Sequence, residues 1–116
     1  MNDKENFGVK VEVLKQLPNG YKCFTTFWSD FYIAELFGTD AIKDTFKRAF
    51  NEWKTDYKYL TELVIVLNMK IWYYYNGAKK NDEYAKLYNE LWETADSYAT
   101  EHLEGNELQY FYEVTD

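Results

Sequence analysis

Apolar residues recur every three to four positions through the middle of the chain, a spacing that predicts amphipathic helices. The first stripe begins at Phe24, and Gly38 is a suitable end for that helix. A second helix follows in "DAIKDTFKRAFNEWK", and charged residues lie outside its apolar stripe. The stripe of this second helix consists of Ile42, Phe46, Ala49, Phe50 and Trp53.

A third helix is predicted from about Asp56 to Asn76, with Gly77 as its left-handed terminator. One face of it forms a core stripe at helical spacing, with Tyr57 and Tyr75 at the edge of that face. The core stripe consists of Leu60, Leu63, Val64, Leu67, Ile71 and Tyr74.

The back of the third helix carries a second apolar stripe, but only in its second half. This stripe consists of Ile65, Met69, Trp72 and Tyr73. A helix that is apolar on all sides is normally buried, so we expect something to cover these side chains. Three covers remain open: the N-terminal hairpin or C-terminal tail of the same chain, a second copy of the chain, or a different partner. Left bare, the stripe would be an interaction surface.

The fourth helix, "DEYAKLYNELWETADSYATEHL", has the most regular apolar spacing of the chain, and Gly105 is predicted to end it. It also carries an acidic stripe, formed by Glu83, Glu90, Glu93, Glu101 and Glu104. A nucleic-acid mimic would use such carboxylates to occupy the basic groove of a partner. The solvated face of an ordinary amphipathic helix has the same pattern.

Both ends of the chain favour extended structure. Alternating valines in "VKVEVL", the turn signal "LPNG" and the following "YKCFTTFW" predict a β-hairpin. The tail "NELQYFYEVTD" suits either a strand or a short helix, and its β-propensity favours the extended form.

These elements predict a small, mainly α domain with some β structure. About four helices form a compact bundle, with an N-terminal β-hairpin packed on the third helix. One domain spans residues 1–116. We expect disorder over 1–8, the hairpin over 9–28, helices over 29–104 and the tail, as a strand or short helix, over 106–116.

Composition agrees with a folded domain. The chain is 47% apolar and 21% aromatic, which excludes a disordered protein. Its net charge is −7, and residues 81–116 hold 10 acidic residues against one basic residue. Direct binding to nucleic acid needs clustered positive charge and is therefore not expected. The single Cys23, the lack of an apolar signal segment and the lack of a long apolar run predict a cytoplasmic protein without membrane contact.

Residues for catalysis are scarce. Cys23 suits a buried structural thiol, and His102, the single histidine, suits a hydrogen-bonded position near a helix C-terminus. One cysteine and one histidine cannot form a zinc site alone. Glu90 and Glu93 could face one metal ion, but no Glu-x-x-His motif accompanies them. We therefore expect no enzyme, no metal and no cofactor.

The runs "FTTFWSDFYIAELFG", "AIKDTFKRAFNEWKTDYKYLTELVIVLNMKIW", "LYNELWETADSYA" and "YFYEVTD" resemble a family of small uncharacterised proteins from mobile elements and phages of gut bacteria. The resemblance covers most of the chain beyond about Phe24 and includes no motif that carries chemistry. It implies a cytosolic accessory role and favours proteins that interfere with host machinery. The function expected is that of a non-enzymatic protein-interaction module with a protein partner or as a homodimer. The alternative is an acidic mimic that binds a basic partner through the fourth helix.

Overall fold

The computed structural model describes the backbone of residues 19–77 and 79–115 and the side chains of residues 26–77 and 79–115. Within these ranges the protein is all-α, with five helices and no strand. The helices are α1 (Asn19–Glu35), α2 (Thr39–Trp53), α3 (Tyr57–Asn76), α4 (Asp82–His102) and α5 (Gly105–Thr115).

The apolar stripes of α2, α3 and α4 form the core, as their spacing predicts. On α3, Leu60, Leu63 and Leu67 are fully buried, and on α4 so are Tyr88 and Ala95. Helix α3 is the central element because it contacts each of the other four helices. Its N-terminal turn is stabilised by Asp56, whose carboxylate accepts hydrogen bonds from two backbone N–H groups, an arrangement typical of an N-cap.

Two glycines set the turns between helices. Gly38, at φ 112°, allows the close connection from α1 to α2, because side chains other than glycine rarely adopt this backbone conformation. The prediction of a left-handed terminator at Gly77 was wrong, since its φ is −89°. Gly77 suits its place for a different reason: a Cβ atom there would collide with the carbonyl group of Tyr73.

The second strand of the predicted hairpin is wrong, because residues 21–28 belong to α1. The apolar residues that follow explain the preference for a helix. Phe27, Phe31 and Ala34 are buried on one side of α1, and this spacing of three to four residues continues the helix back through the segment.

The C-terminal tail is also a helix, so the preference for an extended tail was wrong. In α5, Leu108 and Phe111 lie three residues apart and point toward the core, with Phe111 fully buried. The strand-like alternation would instead have paired Tyr112 and Val114 on one face, and both are exposed. Gly105, at φ 57°, is the first residue of α5 and reverses the chain after α4, whose last residue is His102.

The remaining N-terminal predictions fall outside the described residues. They are the disorder over 1–8 and the first hairpin strand with Val9, Val11 and Val13. The side chain of Cys23 also lies outside the described side chains, although its backbone belongs to α1.

Candidate functional site

The structure divides the predicted interface stripe on the back of α3. Met69 and Trp72 are exposed and Ile65 is half-buried. Tyr73 turns toward α1, where its ring lies edge-on to Trp28 with 6.3 Å between ring centroids. The outer surface of α3 is therefore narrower than the sequence predicts, and Tyr73 belongs to the helix packing.

The C-terminal tail does not cover this surface. Helix α5 packs at the opposite end of α3, where Tyr110 lies edge-on to Tyr57 at 5.3 Å between ring centroids. Trp72 is fifteen residues farther along the same helix, which corresponds to about 22 Å. Of the covers within the same chain, the second strand of the predicted hairpin belongs to α1 instead, and the first strand lies outside the described residues.

Three helix ends meet at the C-terminal end of α3. The hydroxyl group of Tyr84, at the start of α4, donates a hydrogen bond to the backbone carbonyl of Glu35 at the end of α1, with 3.0 Å between the oxygens. The backbone N–H of Asn81 donates to the carbonyl of Tyr74 in the last turn of α3, at 2.8 Å. These contacts place the end of α1, the end of α3 and the start of α4 at one end of the bundle.

Four large apolar side chains at this end are exposed, and we call them the apolar end: Leu36 (70% exposed), Phe37 (79%), Trp72 (61%) and Tyr75 (60%). Each lies within two residues of Glu35 or Tyr74 in the chain. Apolar spacing gave no indication of Leu36 and Phe37 and placed Tyr75 at the edge of the core stripe. The missed signal was "ELFG", in which two large apolar residues lie outside the core stripe just before the helix ends.

Beneath the apolar end lies a buried ion pair. The ammonium group of Lys70 on α3 lies 3.0 Å from a carboxylate oxygen of Glu35, and both side chains are almost inaccessible to solvent. The same ammonium group lies over the indole ring of Trp28, 3.9 Å from the ring centroid. Lys70 therefore joins α1 to α3 by an ion pair and a cation–π contact at once.

Tyrosine hydroxyl groups complete this polar cluster. Tyr88 of α4 donates a short hydrogen bond to the Glu35 carboxylate. Burial, together with the nearby Glu35 carboxylate, raises the pKa of Tyr88 and of Tyr74 above its ordinary value. Both hydroxyl groups therefore stay protonated and can act as donors. The arrangement joins α1, α3 and α4, and sequence periodicity gave no sign of it beyond one lysine inside the apolar run "VLNMKIW".

Glu62 is a second buried charge on α3, only 2% exposed. Burial raises its pKa from 4.5 to about 7. The folded chain then binds the proton more tightly than the unfolded chain. The stabilisation of the folded chain by this tighter proton binding is complete below about pH 4.5 and is lost as the pH rises through about 7.

Replacing Glu62 with glutamine should therefore raise the free energy of unfolding by about 1–3 kcal/mol at pH 8. At pH 4 the change should be close to zero, since the carboxyl group is then protonated in both states. Urea unfolding at the two pH values measures the difference. Glu90→Gln, at an exposed site, is the control, and an equal gain from Glu62→Gln at both pH values would contradict the prediction.

The acidic stripe of α4 is fully on the surface. All five predicted carboxylate residues are exposed, but only Glu83, Glu90, Glu93 and Glu101 belong to α4. The placement of Glu104 on this helix was wrong, because α4 ends at His102. A mimic of nucleic acid and an ordinary solvated helix face both require this exposure, so the assignment of the stripe as a binding face stays a prediction.

The described residues offer no grouping for metal chemistry. Within residues 19–77 and 79–115, no three His, Cys, Asp or Glu side chains lie together in a way that could hold a metal ion. His102 is exposed at the end of α4, where its Nδ1 donates to the carbonyl of Tyr98 at 2.9 Å and its ring stacks on the Tyr98 ring. Among the helices described, none is long and apolar enough to cross a membrane.

The described part of the chain is thus all-α, with large apolar side chains exposed at the end of the bundle that also holds the buried polar cluster. No protein-family model, curated protein or solved structure matches the chain. The resemblance to small proteins of phages and mobile elements stays a prediction.

Proposed function

We propose that the chain is a non-enzymatic protein-interaction module that binds a protein partner through the apolar end. The exposure of Leu36, Phe37, Trp72 and Tyr75, at 60% to 79%, is the observation that supports this function. Trp72 and Tyr75 are one turn apart on α3, and Leu36 and Phe37 are adjacent after α1, so each pair exposes neighbouring apolar side chains. Exposed apolar patches mark interaction sites, and aromatic residues are enriched in interfaces. Met69 on the neighbouring turn of α3 extends the exposed surface.

The buried polar groups favour a structural role over a catalytic one. Lys70, Glu35 and Tyr88 satisfy one another inside the helix packing, so their polar atoms are already engaged with the protein itself. A catalytic lysine or glutamate must instead reach a substrate. This supports the proposal that the chain acts by binding alone.

The cellular setting is part of the same proposal. A single cysteine in 116 residues suits the reducing cytoplasm. The resemblance to small proteins of phages and mobile elements of gut bacteria supports an accessory role for such an element, with a host protein as a target.

The acidic stripe of α4 supports a second candidate function. Its exposed carboxylate residues would let the chain act as a nucleic-acid mimic that binds a basic partner. The two candidates meet only at the start of α4, where Glu83 lies, because the exposed apolar residues are on α3 and after α1, whereas Glu90 and Glu93 lie about two and three turns farther along α4. One experiment can therefore compare them.

The test is an affinity capture from the native host with three tagged baits: the wild-type chain, a Phe37→Glu/Trp72→Glu variant and a Glu90→Lys/Glu93→Lys variant. We expect the wild-type bait and the Glu90→Lys/Glu93→Lys bait to capture at least one protein that the Phe37→Glu/Trp72→Glu bait does not capture. An untagged copy of this chain counts as such a protein. The interaction should survive high salt because apolar contacts carry it.

Two outcomes would speak against this function. If all three baits capture the same proteins, the apolar end is not a binding site. If only the Glu90→Lys/Glu93→Lys bait loses a protein, and that protein is also released by salt, the acidic stripe is the functional surface. Circular dichroism of each bait checks that the helices are intact.

A further inference from the structure

One side of α3 carries exposed apolar side chains over the second half of the helix. Ile65, Met69, Trp72 and Tyr75 lie within about 120° of one another around the helix axis, at about 100° per residue. Met69 is 45% exposed, Trp72 61% and Tyr75 60%, and Ile65 is half-buried. Because the four follow one another on one helix at spacings of three and four residues, they form one continuous surface, which we call the α3 face.

Neighbouring helices border the α3 face. Lys70 and Tyr73 lie on the adjoining side of the helix, where both contact Trp28 of α1. At the start of α3, the side that continues the α3 face is occupied, since Tyr57 contacts Tyr110 of α5. The α3 face is thus bounded by α1 on one side and by α5 at one end.

The α3 face carries no charge. From Ile65 to Asn76 the only charged residue of α3 is Lys70, which is buried in its ion pair with Glu35. The exposed residues of this part of the helix are Asn68, Met69, Trp72, Tyr75 and Asn76. The chain as a whole differs, because its net charge is −7.

An uncharged surface on an acidic chain favours contact between two copies of that chain. Net charge far from zero opposes self-association, and like charges brought together at an interface oppose it further. Two copies that met along α4 would bring carboxylates against carboxylates, whereas two copies that meet at the α3 face would not. A basic partner would instead gain from the acidic stripe of α4 and would find no charge to pair with on the α3 face.

The exposed area of the α3 face fits a small dimer contact. A buried aromatic side chain contributes about 150–250 Å², so Trp72 and Tyr75 offer on the order of 250 Å² together, and Met69 adds to this. A little over half of a typical interface is apolar, so the contact would bury about 500 Å² on each copy. Interfaces of standard size bury about 800 Å² on each partner, and smaller ones form weaker complexes. We therefore expect a dimer that dissociates on dilution.

We propose that the α3 face binds the α3 face of a second copy of this chain, so that the two α3 helices cross about a two-fold axis. In a two-fold contact the same patch lies on both copies, and Met69, near the middle of the patch, lies close to its own counterpart. This inference rests on the proposed function, because it names the partner of the part of the apolar end that Trp72 and Tyr75 form. Leu36 and Phe37 take no part in the dimer.

Sedimentation analysis of the full chain, from about 1 μM to about 1 mM, tests the dimer. We expect the wild-type mass to rise with concentration from 14.0 kDa toward twice that value. Trp72→Glu places two carboxylates in an apolar contact, one from each copy. This substitution should weaken the dimer at least about 100-fold and keep the mass near that of the monomer over the whole range.

Phe37→Glu and Tyr112→Glu are the matched controls. Each replaces an exposed aromatic residue outside the α3 face, since Phe37 follows α1 and Tyr112 lies on α5. Both variants should dimerise like the wild type, and circular dichroism should show equal helix content in all variants. A dimer weakened as much by either control as by Trp72→Glu would overturn the inference.

Met69→Cys tests the two-fold axis directly. A short bismaleimide should join position 69 of one copy to position 69 of the other, because the axis passes near this residue. Peptide mass spectrometry identifies the joined positions, so the native Cys23 can stay in place. Tyr112→Cys should give no corresponding product. A dimeric sample without the link between the two positions 69 would contradict the proposed geometry.

A wild-type chain that stays monomeric at about 1 mM would also overturn the inference. Labelling of Met69→Cys by a maleimide then shows the reason. Slow labelling means that the same chain covers the α3 face, and fast labelling means that the face is left open for a different partner.

The proposed function stays separately testable in that case. If the Phe37→Glu/Trp72→Glu bait still loses a captured protein while the chain is monomeric, a different protein occupies the apolar end and the proposed function holds. If the baits capture the same proteins and the chain is monomeric, both proposals fail.

Discussion

Replacing Lys70 with methionine lowers the free energy of unfolding by about 3–5 kcal/mol. The substitution keeps an unbranched apolar stem, one atom shorter than lysine, and removes the ammonium group. The Glu35 carboxylate, which is 8% exposed, then lies buried without its positive partner. The cation–π contact with Trp28 is lost as well. For a domain of this size the loss is a large part of the total stability.

A double substitution separates the ion pair from simple packing. In Lys70→Met/Glu35→Gln neither side chain is charged, so no uncompensated charge remains, and we expect most of the lost stability to return. Urea unfolding followed by circular dichroism gives the free energies. Lys47→Met, at an exposed position of α2, should change stability by less than about 0.5 kcal/mol. Equal losses in the single and double variants would show that the charge pair is not the cause.

Replacing Phe31 with alanine is expected to cost about 3–5 kcal/mol through the cavity that it leaves. Phe31 is fully buried about one turn before the end of α1. Its ring lies edge-on to Tyr88, with 5.6 Å between centroids, so the substitution also removes an aromatic contact and loosens the tyrosine that donates to Glu35.

Phe37→Ala is a matched control for Phe31→Ala, because it makes the same chemical change six residues later in the chain. Phe37 is 79% exposed, so its truncation should change the stability of the monomer by less than about 0.5 kcal/mol. Urea unfolding should be measured at low protein concentration, where self-association does not contribute. If the two substitutions cost the same, the burial of Phe31 does not stabilise the fold.

The sequence predicts the central helices well because their apolar spacing is long and regular. Helix α3 begins after Asp56 and ends at Asn76 as expected, and the buried residues of α2 and α4 follow their predicted stripes. Over fifteen to twenty-one residues, a spacing of 3.6 cannot be mistaken for the alternation of a strand.

The two end segments are short, and their patterns satisfy both kinds of structure. In the tail, Leu108 and Tyr112 fit an alternating strand and also fit a helix face. A strand needs a neighbouring strand for its backbone hydrogen bonds, whereas a helix forms those bonds within itself. With no partner strand in the described part of the chain, α5 pairs its own backbone and turns Phe111 into the core.

The polar cluster and the apolar end depend on contacts that periodicity cannot show. Glu35 and Lys70 are thirty-five residues apart in the chain, and each alone looks like an ordinary surface charge. Leu36 and Phe37 follow the last turn of α1, so their exposure depends on how the chain turns at Gly38. These features depend on how the helices pack against one another. The apolar spacing of a single sequence does not show that packing.

The central position of α3 affects how a partner would bind at its last turns. Segments enclosed by neighbours on several sides open rarely, so the amide hydrogens of α3 should be among the slowest to exchange with solvent. The last turn of α3, which carries Trp72 and Tyr75, is joined to the start of α4 by the hydrogen bond from the Asn81 N–H to the Tyr74 carbonyl. Binding of a partner would therefore not require this surface to fold at the same time. The heat-capacity change on binding would reflect the burial of apolar rings, without a contribution from coupled folding.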